Sequence, residues 1–125
     1  MRLFIADANP DFRLALQVFL HQEPGMDVVG IATHSSGLLA QVEASRPDVL
    51  LLDWQLPDRA LIEVTKDVRA LNCPVNIVVT SVRPEERNTF VDSGADAYFE
   101  KTNQPEELLD YLRTLRDKEC ERDRG

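Results

Sequence analysis

Polar groups that could together carry out phosphoryl transfer each follow a short apolar run. They are the carboxylates of Asp7 and Asp53, the hydroxyls of Thr80 and Ser81, and the amine of Lys101. A carboxylate can attack a phosphorus atom and form an acyl phosphate, which is a form of covalent catalysis. The equatorial phosphoryl oxygens carry charge in that reaction, and an ammonium, a hydroxyl and a divalent cation held by carboxylates can balance it. These residue types therefore point to phosphorylation of an aspartate.

Asp53 stands at the end of the apolar run that the rest of the sequence surrounds. Val49–Leu52 is apolar at every position, as expected of a central parallel strand with both faces buried. Pro57 cannot take part in a β-ladder, so the strand should end near Asp53. Ligands of open α/β sheets bind outside the carboxyl ends of the strands, which favours Asp53 as the phosphoacceptor. The alternative is that Asp53 only caps the following turn.

The composition is that of one soluble domain. The chain has 125 residues, of which 43% are hydrophobic and 29% charged, enough to bury a core. Its net charge of −8 argues against direct binding to nucleic acids or anionic membranes. It has no apolar run of membrane-spanning length and no signal-peptide pattern, so we expect a cytoplasmic protein. Cys73 and Cys120 lack the spacing of a metal site, so we expect free thiols.

Five strand–helix units alternate along the chain. Short apolar runs predict strands at 3–6, 28–32, 49–53, 75–80 and 97–99. Capping residues and prolines predict that helices begin at Asn9-Pro10, at Ser35 or Ser36, near Leu61, at Pro84 and near Asn103. Such alternation with short connections means a parallel sheet covered on both faces. We therefore predict a doubly wound α/β fold, (βα)5 and flavodoxin-like, with strand order 2-1-3-4-5.

Apolar spacing also indicates how the helices pack and where they end. In the first helix one face is formed by Phe12, Leu16, Phe19 and Leu20. The fourth predicted helix has few apolar residues, so we expect it to be held loosely. Cys73-Pro74 is expected to end the third helix. The charged segment 117–125 is interpreted as a frayed helix or the start of a linker, which leaves 1–116 as the domain.

The predicted strand order brings the candidate residues to one edge of the sheet. Strands 1, 3, 4 and 5 end next to Asp7, Asp53, Thr80 with Ser81, and Lys101. One polar residue after a strand is commonplace, whereas complementary types at four strand ends are not. Taken singly, Lys101 is also typical of a surface lysine and Thr80 of an ordinary strand or turn residue.

Several segments together resemble the receiver domain of bacterial two-component response regulators, over roughly residues 2–116. The matching segments are Ile5-Ala6-Asp7, Leu51-Leu52-Asp53 with Leu56-Pro57, Val79-Thr80-Ser81, and Gly94 through Lys101. Two further segments, Pro10-Asp11-Phe12-Arg13 and Glu23-Pro24 with Val28-Val29-Gly30, resemble regulators of the LuxR/NarL type, which carry a helix-turn-helix output domain.

The resemblance implies a role for each residue at the edge of the sheet. Asp53 would accept a phosphoryl group from a sensor histidine kinase, and Lys101 would contact the phosphate. Thr80, with Ser81 beside it, would respond to the phosphate, and Tyr98 would rotate inward behind Thr80. The surface of the fourth helix and fifth strand would then change for a partner. Tyr98 alone is equally typical of an aromatic residue at the edge of a core.

The resemblance also implies a Mg²⁺ ion, bound by Asp7, Asp53 and the backbone carbonyl of Gln55. The family usually has two adjacent acids after the first strand, but here Asp7 is followed by Ala8. Loss of a charged ligand should weaken Mg²⁺ binding by about 1–3 kcal/mol, on the scale of a charged hydrogen bond. Asp58 is the one nearby acid that could in principle reach the site.

Two functional hypotheses follow. The first is a phosphorylatable switch that is not an enzyme beyond its own phosphorylation and dephosphorylation at Asp53, that controls an output domain outside this chain, and that can form a homodimer. The alternative is an interaction module with weak or absent Mg²⁺-dependent phosphorylation, which Ala8 favours. A flavodoxin-like or hydrolase enzyme is disfavoured, because no Gly-rich phosphate loop follows the first strand and Asp53-Trp54-Gln55 lacks a second acid.

Overall fold

The computed structural model of the chain describes residues 1–72, 74–83, 93–101 and 105–124, with side chains up to residue 118. Its strands are β1 (Arg2–Ala6), β2 (Asp27–Ala32), β3 (Val49–Asp53), β4 (Asn76–Ser81) and β5 (Ala97–Glu100). Its helices are α1 (Pro10–His21), α2 (Leu38–Ser45), α3 (Leu61–Arg69) and α4 (Glu106–Arg124). The predicted helix beginning at Pro84, the region of Asn103, and Cys73 lie outside the described residues, as does the side chain of Cys120.

The strands form a single parallel sheet in the order β2-β1-β3-β4-β5, which confirms the predicted topology. All five residues of the central strand β3 are buried, as its unbroken apolar run predicts. Alternate residues of β3 feed two apolar clusters, Leu50 and Leu52 on one face and Val49 and Leu51 on the other. Helices α2 and α3 cover the first cluster, and α1 and α4 cover the second.

Helix α1 begins as the sequence predicts. The Asn9 side chain accepts hydrogen bonds from the backbone N–H groups of Asp11 and Phe12, at 2.9 and 3.1 Å, and Pro10 occupies the first turn. Of the four residues predicted to form one face of α1, Leu16 and Leu20 are buried and Phe12 packs against them, whereas Phe19 is 39% exposed. This residue lies at the margin of the apolar stripe, where it lines a cleft together with Val82.

Helix α2 does not begin with a serine cap, so that prediction is wrong. Gly37 is the N-cap, with a φ of 76° that suits glycine, and it makes no side-chain cap. The Ser35 hydroxyl instead donates to the Pro57 carbonyl at 2.8 Å and accepts from the Arg59 N–H at 2.7 Å. A tertiary contact that ties two loops together has therefore replaced the local cap.

Two helix ends also differ from the sequence prediction. Helix α3 stops at Arg69, before the predicted break at Cys73-Pro74. Helix α4 continues without interruption to Arg124, so 117–124 is helical, and a domain boundary at residue 116 stays a prediction. No helix in the described part of the chain has the length and apolar character needed to cross a bilayer.

Candidate functional site

The carboxyl ends of four neighbouring strands meet at one edge of the sheet. The residues that pair at this edge are Ala6 with Leu52, Asp53 with Thr80, and Ser81 with Glu100. Asp7 directly follows β1, so it lies beside Asp53, and Lys101 directly follows β5. The strand register alone therefore brings both carboxylates and the lysine to the same edge of the sheet.

Lys101 joins the two carboxylates. Its Nζ lies 2.9 Å from Asp7 Oδ2 and 3.2 Å from Asp53 Oδ1. The side chains of Lys101 and Asp53 are each 8% exposed and that of Asp7 only 2%. Three charges with a net charge of −1 are thus held almost out of water, where each interaction is stronger than at the surface.

Burial makes the ionised form of Asp7 costly. Its Oδ1 accepts a hydrogen bond from the Asn9 N–H at 2.8 Å. Burial nevertheless raises the pKa of the Asp7 carboxyl, since the hydrogen bond from Lys101 and the Asn9 N–H compensate for it only in part. The negative charge of Asp53 raises that pKa further. The site therefore holds Asp7 in an environment that disfavours its ionised form.

The two oxygens of Asp53 differ. Oδ1 contacts Lys101 and accepts from the Gln55 N–H at 3.1 Å, so the predicted turn-capping role is present alongside the ion pair. No described residue donates a hydrogen bond to Oδ2. The Asp53 side chain as a whole is 8% exposed. One oxygen of Asp53 therefore has two partners among the described residues, and the other has none.

Thr80 lies next to Asp53 on the neighbouring strand. The two residues pair in register, so their side chains project from the same side of the sheet. The backbone N–H of Trp54 donates to the Thr80 carbonyl at 2.8 Å, which extends the pairing beyond Asp53. The Thr80 hydroxyl makes no hydrogen bond within the described part of the chain. This hydroxyl is therefore available to donate a hydrogen bond to a group bound to Asp53.

Ser81 and Tyr98 converge on the loop after β4 and not on the carboxylates. The Ser81 hydroxyl accepts from the Arg83 N–H at 3.1 Å, and the Tyr98 hydroxyl donates to the Arg83 carbonyl at 2.9 Å. Tyr98 is buried in the apolar cluster, so it already has the inward position that the resemblance associates with phosphorylation. Their contact with phosphate and the rotation of Tyr98 stay predictions.

The described residues do not fit the implied Mg²⁺ as they are arranged. Mg²⁺ that keeps most of its waters can be held by one or two carboxylates. Here an ammonium lies between Asp7 and Asp53, and Ala8 supplies no donor. The described part of the chain contains no group of three or more metal-ligating side chains. Asp58 accepts from the Ser36 N–H at 3.3 Å, and metal coordination by the Gln55 carbonyl stays a prediction.

Two residues of α1 belong to the site but were not predicted to. The Phe12 ring centroid lies 4.8 Å from Lys101 Nζ, and Arg13 Nη1 donates to the Asp7 carbonyl at 2.9 Å. Sequence analysis assigned Phe12 to the apolar face of the helix. The available signal was the position of the Asn9 cap, because a helix that begins so soon after Asp7 must put its first turn at this edge of the sheet.

Comparison with known proteins identifies the family. The family model described as response regulator receiver domain matches residues 3–113. The transcriptional regulatory protein LiaR of Bacillus subtilis is 34% identical over 116 residues, which cover 90% of this chain and 54% of LiaR. The nitrate/nitrite response regulator protein NarL of Escherichia coli is 30% identical over 112 residues, covering 88% and 52%. The chain therefore spans about half the length of these curated relatives.

Solved structures share the fold. The receiver domain of RcsB from Salmonella enterica superposes with a TM-score of 0.81 at 22% identity, covering 94% of this chain and 88% of that one. A CheY-like receiver domain protein from Methanospirillum hungatei gives 0.80 at 24% identity, covering 97% of both chains. With the family model covering nearly the whole chain, this protein belongs to the response regulator receiver domain family.

Proposed function

We propose that this receiver domain is a signalling switch that accepts a phosphoryl group on Asp53 from a histidine kinase. The difference between the two Asp53 oxygens is the observation that supports this most directly. Oδ1 is held by Lys101 and by the Gln55 N–H, whereas Oδ2 has no hydrogen-bond donor among the described residues. A carboxylate fixed through one oxygen presents the other in a defined direction, which favours in-line attack.

The step is a simple displacement. Asp53 Oδ2 forms a bond to phosphorus while the bond from phosphorus to the donor nitrogen or oxygen breaks, and the electron pair leaves with the donor. Lys101, which already lies 3.2 Å from Asp53, can pair with one phosphoryl oxygen, and the Thr80 hydroxyl can donate to another. Attack of water on the phosphorus then breaks its bond to Oδ2, restores the carboxylate and releases inorganic phosphate. The chain is an enzyme only in this sense, toward its own aspartate.

The signal would leave the site through the loop after β4. Thr80 and Ser81 end this strand, and the Ser81 and Tyr98 hydroxyls both bind the backbone of Arg83. A change at Thr80 can therefore alter how this loop is held. The relatives named above are regulators about twice as long as this chain, which supports an output domain elsewhere in a longer protein as the partner.

A second candidate function is an interaction module that keeps the receiver fold without phosphorylation. Its support is the ion pairing of Lys101 with both carboxylates, together with the loss of an acid at Ala8. In such a protein the contact of Lys101 with Asp53 would be structural, and the surface presented to a partner would not depend on phosphate.

Intact mass spectrometry after incubation with acetyl phosphate, with and without Mg²⁺, separates the two candidates. A phosphoacceptor gains one phosphoryl group, loses it with hydroxylamine, and gains none in Asp53→Asn. Asp58→Asn is the matched control, because Asp58 is an exposed acid in the same loop whose carboxylate accepts from Ser36, and it should label like the wild type. Absence of labelling in the wild type, or equal labelling of Asp53→Asn, would favour the interaction module.

A further inference from the structure

The Lys101 ammonium has three partners of two kinds among the described residues, two carboxylates and an aromatic ring. Asp7 and Asp53 contact it at 2.9 and 3.2 Å, and the Phe12 ring faces it at 4.8 Å from the ring centroid. An ammonium over an aromatic face is attracted by the ring, and more strongly when water is excluded. Since the Lys101 side chain is 8% exposed, this contact is made largely out of water. The ring therefore closes a side of the ammonium that the carboxylates leave uncovered.

The first turn of α1 holds the Phe12 ring in this position. Asn9 caps the N–H of Phe12 itself, and Arg13 binds the carbonyl of Asp7 at the end of β1. The backbone on both sides of the ring is thus fixed to the same strand end that carries the carboxylate. Phe12 is partly buried and packs against the apolar cluster beneath α1 and α4, so its ring contacts both that cluster and the ammonium.

We propose that Phe12 is a positioning residue that holds the Lys101 ammonium as a resident counter-cation between Asp7 and Asp53, in competition with divalent cations. The inference concerns the unphosphorylated site and does not depend on Asp53 accepting a phosphoryl group. A cation held between them also explains how Asp7 and Asp53 can lie together in a buried site, beside which Ala8 adds no further acid.

The competition follows from charge and distance. A Mg²⁺ ion binds oxygen ligands at about 2.0–2.1 Å, so it needs the carboxylate oxygens that the ammonium now contacts. Two cations cannot share these oxygens without repulsion, and the ammonium must leave at least one of them. By linkage, any change that loosens the ammonium must strengthen Mg²⁺ binding. A residue that only supports the fold would have the opposite effect, because loosening the site would weaken binding.

The test compares Phe12→Leu with the wild type, in the full chain and without any phosphodonor. Mg²⁺ affinity is measured by calorimetry and by the fluorescence of Trp54, which directly follows Asp53. Loss of one cation–π contact should tighten Mg²⁺ binding about two- to fivefold. Phe12→Tyr keeps the ring and should match the wild type. Phe19→Leu makes the same exchange two turns further along the same helix, at a ring for which no contact with the Lys101 ammonium is seen, and should also match it.

A second measurement keeps the proposal falsifiable if Phe12→Leu folds poorly. The side-chain proton resonances of Lys101 should be shifted upfield by the Phe12 ring in the wild type and move downfield when Mg²⁺ is added. In Lys101→Met, which keeps the apolar stem, Mg²⁺ should bind more tightly than in the wild type. Unchanged or weaker Mg²⁺ affinity in folded Phe12→Leu or in Lys101→Met, or Lys101 resonances that do not respond to Mg²⁺, would overturn the proposal. Failure of acetyl phosphate labelling would leave it standing.

Discussion

Two clusters in this molecule pair carboxylates with cationic side chains, but the pKa of the central carboxyl is shifted in opposite directions. At the carboxyl end of the sheet, Lys101 contacts Asp7 and Asp53. At the other cluster, Arg113 and Arg116 of α4 bind Glu23, which follows α1. The pKa of Asp7 is raised by burial, although an ammonium lies 2.9 Å away. The pKa of Glu23 is lowered, with the hydrogen bond from Arg113 as the main cause.

Access to water is what separates them. The side chains of Glu23, Arg116 and Arg113 are 15%, 20% and 39% exposed, against 8% or less at the Asp7 site, so the Glu23 cluster loses less of its hydration. The Asp7 site has lost most of its hydration and recovers only part of that cost from Lys101. The Glu23 cluster therefore ties the segment after α1 to α4. In the Asp7 cluster the ionised form of Asp7 is disfavoured, a kind of perturbation that is frequent at functional sites.

Of the changes to these two clusters, removal of the Lys101 charge should have the largest effect on stability. In Lys101→Met two buried carboxylates lose their only counter-cation among the described residues, and we expect a loss of about 3–5 kcal/mol in the free energy of unfolding. Urea denaturation at neutral pH in the absence of Mg²⁺ measures it. Lys66→Met removes an exposed lysine of α3 and should change stability little. A loss of stability no larger than that of Lys66→Met would mean that Lys101 does not stabilise the two buried carboxylates.

Asp7→Asn should have the next largest effect, with the opposite sign. The folded-state pKa of Asp7 is raised, so the folded protein binds this proton more tightly than the unfolded chain does. Stability is therefore lost as the pH rises above the unfolded pKa, and Asp7→Asn should be more stable than the wild type at pH 7. The gain should vanish below about pH 4, where Asp7 is protonated in both states. Thermal unfolding across this range measures it, and lower stability at pH 7 would contradict the prediction.

The features that could be predicted from the sequence are the ones encoded locally. The apolar run ending in Asp53 specified the central strand, and the Asn9-Pro10 cap specified where α1 begins. Their combination gave the strand order and the edge at which the candidate residues meet. A strand end can be predicted from the sequence because adjacent residues specify it, and its distant partners need not be known.

The features that could not be predicted depend on distant side chains. Ser35 has the local chemistry of a helix cap, but Pro57 and Arg59 take its hydroxyl once the loops meet. The ring of Phe12 over Lys101 likewise requires two elements from opposite ends of the chain to be placed first. The Asn9 cap places the first turn of α1 at this edge of the sheet, but no pattern in either segment specifies that the ring and the ammonium meet.

The smallest expected change in stability is that of Glu23→Gln, which tests the more exposed of the two clusters. The folded-state pKa of Glu23 is lowered, so its contribution is present above the unfolded pKa and is lost as the pH falls through the folded pKa. The variant should be slightly less stable than the wild type at pH 7 and equal to it in acid, the reverse of Asp7→Asn. Because the arginines are partly exposed, added salt should shrink the difference, whereas the effect of Asp7→Asn should persist in salt. Calorimetry at low and high salt decides this, and equal salt sensitivity of the two variants would show that burial does not separate the clusters.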